Sequence, residues 1–281
     1  MAAIPVSGIA TAVRAVAAFF VLSLLAGPAR ADAVCTLLAE ASTGKILHQD
    51  GECDRAMPPA STFKIPISLM GYDSGFLKDE TTPVLPFKEG YADWRKEWRT
   101  DIDPTTWMKE SVVWYSQLIT QSLGEAKFSS YVQAFDYGNE DVSGDKGKNN
   151  GLTRSWLSSS LRITPLEQVA FIGKIVNRQL PVSEHAYQMT EAILGRYDLP
   201  GDWTVHGKTG AGFSVNADGS PDRQRPFGWY VGWAQKADQK IIFVRLAVLS
   251  KPQKMSPGMG TRDDLLKQLP ALLDQVANVT D

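Results

Sequence analysis

Hydrophobic and polar residues alternate with a period of two near both ends of the chain, which is the pattern of half-buried β-strands. Toward the C-terminus this alternation predicts strands over residues 203–212, 227–235 and 240–249. Toward the N-terminus it predicts two more, 35–39 and 45–49, joined by a Ser-Thr-Gly turn. Because strand signals occur at both ends, the pattern favours one antiparallel sheet to which both ends of the chain contribute.

The middle of the chain has the period of about 3.6 residues that amphipathic helices show. Residues 164–167 read Thr-Pro-Leu-Glu, a capping box with proline in the first helical turn. Residues 138–151 are rich in Gly, Asp, Asn and Lys and are predicted to be a loop. The predicted helices are 111–123 (ended by Gly124), 125–135, one that starts at the 164–167 box, and 183–194.

A last helix is predicted to start at a cap formed by Thr261 and to bend or break at Pro270. Its predicted apolar face consists of Leu265, Leu269, Leu272 and Val276. The elements together predict an α+β fold, in which an antiparallel sheet from both chain ends is flanked by helices and carries an inserted helical lobe. We expect one domain over 32–281, with the helical lobe at roughly 61–199 and the sheet lobe at roughly 32–60 plus 200–281.

Residues 1–31 have the layout of a cleavable secretory signal. Arg14 precedes the apolar run 15–26, and small residues then end in Ala-Arg-Ala at 29–31. The alternative, a membrane anchor, is disfavoured because a span needs about 20 apolar residues. The segment therefore predicts export to the periplasm, with no membrane attachment after cleavage.

Composition narrows the possible functions further. The chain has 281 residues, of which 43% are hydrophobic and 21% charged, and its formal net charge is −2. No basic surplus points to nucleic acid as a partner. The three histidines lack the spacing of metal ligands, so no metal is expected.

The two cysteines, Cys35 and Cys53, flank the predicted N-terminal hairpin. Export makes a disulfide between them the expected state. Two separately buried thiols are the alternative.

The strongest candidate for chemistry is the pair Ser61 and Lys64. Residues three apart lie on one face of a helix, one turn from each other. A serine becomes nucleophilic when a base takes its proton, and a lysine serves as that base only when its amine is not a solvated ammonium. Apolar neighbours such as Phe63 and Ile65 can supply the dry surroundings. A second Ser-x-x-Lys, at 143–146, lies in the polar loop and is interpreted as a solvated turn.

Two further motifs follow in chain order, Ser-x-Val at 111–113 and Lys-Thr-Gly at 208–210. Together with Pro-x-Ser-Thr-Phe-Lys at 59–64, they form the signature set of the serine penicillin-recognising enzymes. Within that superfamily the sequence resembles the class D serine β-lactamases, the oxacillinases. Tyr-Gly-Asn at 137–139 and Trp-Leu at 156–157 also match that family, and the resemblance runs from about residue 33 to the C-terminal helix.

This resemblance implies hydrolysis of the β-lactam ring through an acyl-enzyme, with a small-molecule β-lactam as the partner. Lys64 would act as a carbamate (N6-carboxylysine), so that carbon dioxide or bicarbonate is required but no other cofactor. The implied roles are nucleophile (Ser61), base (Lys64), proton shuttle (Ser111), carbamate support (Trp156), apolar gate (Val113, Leu157), oxyanion amides (Ser61, Ala211) and substrate binding (Lys208, Thr209, Gly210, Arg262).

Several alternatives stay open at this point. Trp156 alone is also compatible with a plain core tryptophan, and Arg262 with a surface residue at a helix start. Two other functions share the motif set: a penicillin sensor that holds its acyl-enzyme, and a peptidoglycan transpeptidase. The sequence decides neither the preferred β-lactams nor the oligomeric state.

Overall fold

The computed structural model describes residues 1–3, 32–216, 220–252 and 254–277. The predicted signal segment lies outside the described residues except for its first three. Within the described ranges, no helix is both long and apolar enough to cross a membrane.

An antiparallel sheet of six strands forms the centre of the described structure, in the order β2-β1-β6-β5-β4-β3. The strands are β1 (Asp32–Glu40), β2 (Ile46–Gly51), β3 (Gly195–Leu199), β4 (Trp203–Val215), β5 (Pro221–Lys236) and β6 (Gln239–Val248). The N-terminal β1 pairs with the C-terminal β6, with Leu37 opposite Val244. The predicted sheet from both chain ends is therefore confirmed. The alternation pattern missed β3, a five-residue edge strand between Gly195 and a turn at Gly201.

The helices are α1 (Lys64–Asp73), α2 (Pro104–Glu110), α3 (Val113–Ala134), α4 (Gly151–Arg154), α5 (Pro165–Val176), α6 (Glu184–Ile193) and α7 (Pro257–Ala277). Single 3₁₀ turns cover Ala60–Phe63 and Lys96–Trp98. The capping box of α5 is confirmed, since the Thr164 hydroxyl and the Glu167 carboxylate each accept the other residue's backbone N–H. Gly124 has φ +73° and ψ 165°, so it breaks the helical geometry inside α3, where the sequence predicted a break.

The prediction for the last helix was wrong in three respects: its start, a break at Pro270, and one residue of its buried face. The helix begins at Pro257, not at Thr261, because proline is well suited to a first helical turn. The Thr261 hydroxyl donates to the Pro257 carbonyl at 2.9 Å, so Thr261 lies inside the helix. Pro270 does not end the helix, which continues to Ala277. Packing explains this, since Leu265, Leu269 and Leu273 on either side of the proline are fully buried; Leu273, not Leu272, completes the buried face.

Both faces of the sheet are covered. On β5, Trp229, Val231 and Trp233 face the cluster that includes α1 and α5. The alternate residues Tyr230 and Ala234 face the cluster built with α7. Such two-sided burial makes β5 and β6 the rigid centre on which the neighbouring strand β4 is held.

The predicted disulfide is confirmed. Cys35 in β1 is bonded to Cys53, just beyond β2, with the two Cα atoms 5.0 Å apart. Both residues are buried, at 0% and 2% exposure. The bond ties the edge hairpin to the segment that leads into Ser61.

We expect Cys35→Ala/Cys53→Ala to lower the free energy of unfolding by about 3 kcal/mol, because the bond closes a loop of 18 residues in the unfolded chain. Urea unfolding followed by fluorescence measures the change. The native protein in strong reductant is the control and should match the variant. Equal stability of the oxidised native protein and the variant would show that the bond does not constrain the unfolded chain.

Candidate active site

Ser61 lies in a tight 3₁₀ turn that runs directly into α1. The backbone N–H of Lys64 donates to the Ser61 carbonyl, which places the two residues one turn apart. In 3₁₀ geometry, side chains three residues apart nearly eclipse each other. Ser61 is half-buried, whereas every residue from Thr62 to Tyr72 is buried. The serine is therefore the point at which a buried helix reaches the surface.

The turn is fixed by its neighbours. Ala60 has φ +50°, a left-handed conformation that is strained for alanine. Its N–H donates to the Trp156 carbonyl at 3.1 Å, and the Thr62 hydroxyl donates to the Pro59 carbonyl at 2.7 Å. These bonds hold the serine backbone in place.

The amine of Lys64 is buried without a partner. Lys64 has 0% exposure, and its Nζ makes no hydrogen bond within the described structure. Burial lowers the pKa of this amine well below its usual range, and the positive charge of Lys208 lowers it further. A site of this kind favours the neutral amine over the ammonium.

A second unpaired donor is the indole Nε1 of Trp156, which is also fully buried. The Trp156 ring stacks on Phe63, with ring centroids 5.8 Å apart. Val113 and Leu157, at 2% and 8% exposure, belong to the same hydrophobic cluster. Two polar hydrogen donors thus lack acceptors in one apolar environment, an arrangement that buried groups generally avoid.

Ser111 and Lys208 form a direct contact between the end of α2 and strand β4. The Lys208 ammonium donates to the Ser111 hydroxyl at 2.6 Å and to the Thr209 carbonyl at 3.1 Å. Ser111 does not start α3 as predicted; it ends α2 in a left-handed conformation with φ +56°. Burial lowers the pKa of Lys208 to about 7, with a further contribution from Arg262 that Glu110 opposes. Lys208 therefore gains and loses its proton near neutral pH.

The Lys-Thr-Gly stretch of β4 has an open edge. β3 pairs with β4 only as far as Gly207, so the residues after it have a strand on one side only. The Phe213 N–H donates to the Ser158 hydroxyl at 3.4 Å and so points away from β5. Since amides two residues apart in a strand point the same way, the Ala211 N–H also faces the open edge.

Gly210 brings this edge against the serine turn. A Cβ at this position would lie 2.8 Å from the Pro59 carbonyl oxygen and 3.0 Å from the Thr62 methyl group. Only glycine permits so close an approach. The third motif thus places β4 beside Ser61.

Arg262 lies on α7, which packs against β4. Its guanidinium donates to the Tyr197 hydroxyl at 2.9 Å and to Asp263 at 2.7 and 2.8 Å. Together with Lys208 and Thr209 it lines a cleft of about 780 Å³. The structure therefore places Arg262 near the motif residues, with a fixed orientation.

Sequence reasoning missed Gln168. Its side-chain amide donates to the Thr62 hydroxyl at 3.2 Å and to the Tyr137 hydroxyl at 3.3 Å, and it is buried. The Tyr137 ring also contacts Phe63, with centroids 5.1 Å apart. The signal was available, since Gln168 is a polar residue within the apolar face of α5.

The second Ser-x-x-Lys copy is confirmed as part of an exposed loop, with Ser143 and Lys146 both exposed. For metal ions, the described ranges contain no group of three or more His, Cys, Asp or Glu side chains that could hold one.

Comparison with known proteins agrees with this geometry. The family described as "Penicillin binding protein transpeptidase domain" matches residues 34–269. The β-lactamase OXA-9 of Klebsiella pneumoniae is 44% identical over 241 residues, which cover 85% of this chain and 88% of that protein. The crystal structure of the OXA-427 class D β-lactamase is 50% identical, with a TM-score of 0.82 over 86% of this chain and 99% of that one.

A receptor domain is also similar. The C-terminal domain of the Bacillus licheniformis BlaR penicillin receptor is 25% identical, with a TM-score of 0.69 over 83% of this chain and 89% of that one. Its identity is half that of the OXA-427 enzyme. The chain belongs to the class D β-lactamases, hydrolases that act on the β-lactam ring.

Proposed function

We propose that this enzyme opens the β-lactam ring through an acyl-enzyme on Ser61, with Lys64 in its carbamylated form as the general base. The observation that carries the proposal is the fully buried, unpaired Lys64 amine, one turn from a half-exposed serine. No acidic side chain of the described structure reaches that amine, so one group has to serve as base in both steps.

The buried site fits a carbamate. A neutral amine adds to carbon dioxide and loses one proton, which leaves an anionic group on Lys64. That group would supply the base and would accept the Trp156 indole N–H, so both unpaired atoms would gain a partner. Phe63, Val113 and Leu157 belong with Trp156 to one buried hydrophobic cluster, which favours a dry site for the carbamate.

In the acylation step, the base at Lys64 takes the Ser61 hydroxyl proton as the oxygen attacks the lactam carbonyl carbon. The C–N bond breaks, and Ser111 gives its proton to the departing nitrogen. Lys208, bonded to Ser111 at 2.6 Å, replaces that proton. The N–H groups of Ser61 and Ala211 are suited to stabilise the oxyanion.

Before the second step the base gives up the Ser61 proton and Lys208 regains one, so the net transfer is from Ser61 to the lactam nitrogen. Water then attacks the ester carbon while the base takes a proton from it. The C–O bond to Ser61 breaks, and the base returns that proton to the Ser61 oxygen. Orientation of the substrate depends on its carboxylate, which Thr209, Lys208 and Arg262 are suited to bind. Arg262 is already oriented by Tyr197 and Asp263, which reduces the entropy lost on binding.

We also propose that the protein acts in the periplasm and gives its host resistance to β-lactams. Export is supported by the predicted signal segment and by the Cys35–Cys53 disulfide, a bond that persists in oxidising compartments.

The similarity to a penicillin receptor supports one alternative function, a sensor that is acylated but does not turn over. Repeated turnover of a chromogenic cephalosporin supports the hydrolase, whereas a single stoichiometric burst supports the sensor or a transpeptidase.

Ser61→Ala should abolish covalent acylation, because no other serine of the described structure has a buried lysine one turn away. Intact-mass spectrometry after incubation with a penicillin should find no adduct on this variant. The matched control is Ser143→Ala in the second Ser-x-x-Lys, which should acquire the mass of one penicillin. An adduct on Ser61→Ala would contradict the assignment.

Degassed, mildly acidic buffer should inactivate the enzyme, because protonation releases carbon dioxide and leaves an ammonium at Lys64. Added bicarbonate should restore the rate, and Lys64→Ala should lose both turnover and bicarbonate dependence. Trp156→Phe should require about tenfold more bicarbonate, since it removes one charge-assisted hydrogen bond. Steady-state rates measured against bicarbonate concentration test this.

Trp107→Phe serves as the control for that series. It removes a different buried indole, one that donates to Ser116 at 2.9 Å, and should keep the native bicarbonate dependence. Equal rates with and without bicarbonate in thoroughly degassed native enzyme would mean that Lys64 works as a free amine.

We expect kcat/KM to fall above about pH 7, because Lys208 then loses the proton that it has to supply to Ser111. Arg262→Gln removes a neighbouring positive charge that lowers the Lys208 pKa, so it should move this decline to higher pH. It should also lower kcat/KM about tenfold through the lost carboxylate contact. Arg196→Gln, an exposed arginine paired with Asp198, should leave the pH profile unchanged. A decline at the same pH in Arg262→Gln would contradict the proposed link.

A further inference from the structure

A second cleft, of about 660 Å³, lies beside the Ser61 turn. Ala60, Leu157 and Ala211 are among its lining residues, so it adjoins the place where the lactam carbonyl would lie. Trp94 and Phe213 supply aromatic rings to it, and the Trp94 side chain is 61% exposed. An aromatic group that enters this cleft therefore meets ring faces as well as the apolar side chain of Leu157.

The proposed function determines which part of a substrate reaches this cleft. The ring carboxylate is directed toward Thr209 and Arg262, and the lactam carbonyl toward the Ala211 N–H. The acylamino side chain is attached on the far side of that carbonyl from the ring carboxylate. It therefore extends past Ala211 along the open edge of β4, toward Phe213.

The charges that line the cleft have one sign. Among its described lining residues, the two charged side chains are Arg154 and Arg223. Arg154 is partly neutralised, since its Nε lies 3.4 Å from an Asp145 oxygen. The Arg223 guanidinium stacks over the Phe213 ring at 5.7 Å. Its neighbour Asp222 bonds to Arg225 at 3.0 Å instead.

From these contacts we propose that the enzyme prefers β-lactams whose acyl side chain carries a carboxylate next to an aromatic ring, and that Arg223 is the residue that selects them. The ring packs among Trp94, Phe213 and Leu157, and the carboxylate accepts hydrogen bonds from the Arg223 guanidinium. This inference rests on the proposed orientation of the substrate at Ser61.

Carbenicillin and benzylpenicillin are the appropriate probes, because they differ by a single carboxylate on the carbon that bears the phenyl ring. The quantity to measure is the ratio of their kcat/KM values, carbenicillin over benzylpenicillin. Arg223→Gln should lower this ratio about fivefold, the upper range for a solvent-accessible charge pair. Arg223→Lys, which keeps the charge, should restore most of it.

Arg196→Gln is the matched control, since Arg196 is an exposed arginine that does not line the cleft. It should keep the native ratio. Raising the salt concentration to 1 M should lower the ratio for the native enzyme but not for Arg223→Gln, because the Debye length falls to about 3 Å. A fold defect in the variant would change both substrates alike and leave the ratio unaltered.

The proposal is overturned if Arg223→Gln gives the native ratio, if Arg196→Gln lowers the ratio as much as Arg223→Gln does, or if salt affects the native enzyme and Arg223→Gln equally. Failure of the underlying function gives a different result, namely that the native enzyme turns over neither penicillin.

Discussion

The site depends on a lysine amine held in a dry interior without a hydrogen-bond partner. An unpaired buried polar group costs about 1–3 kcal/mol, and a buried unpaired charge costs far more. Lys64 is fully buried at the start of α1, and its chain neighbour Phe63 packs against the rings of Trp156 and Tyr137. The same burial that destabilises the folded state keeps the amine neutral and therefore reactive.

Two strained backbone positions lie among the motif residues. Ala60 and Ser111 are among the non-glycine residues in the left-handed region, with φ of +50° and +56°. Each such conformation costs on the order of 1–3 kcal/mol and persists only where surrounding contacts enforce it. Here those contacts are the Ala60–Trp156 backbone bond and the Ser111–Lys208 bond. Strain is therefore present next to Ser61 and at Ser111, where the chemistry is proposed.

Much of this arrangement could be predicted from the sequence, because period-two and helical patterns are local and the three motifs each lie on a short segment. Contacts between distant segments could not be predicted in this way. Ser111 was expected to start a helix, but Lys208, which is 97 residues later in the chain, holds it at the end of α2 instead. Gln168 supports the Ser61 turn through Thr62. Its polarity within the apolar face of α5 marks it as unusual, but does not indicate which distant residue it contacts. Pro270 remains inside α7 because leucines on both sides are buried, an effect that propensity alone does not include.

Positively charged side chains line both clefts of the site: Lys208 and Arg262 one cleft, Arg154 and Arg223 the other. The charge of Lys208 lowers the pKa of the buried Lys64 amine, so an anion at the Lys64 position would gain from that charge. The most direct test is ¹³C NMR of the enzyme after equilibration with ¹³C-bicarbonate at neutral pH. A carbamate resonance in the native enzyme that is missing in Lys64→Ala is the predicted result, and a fully active native enzyme with no such resonance would contradict the central claim.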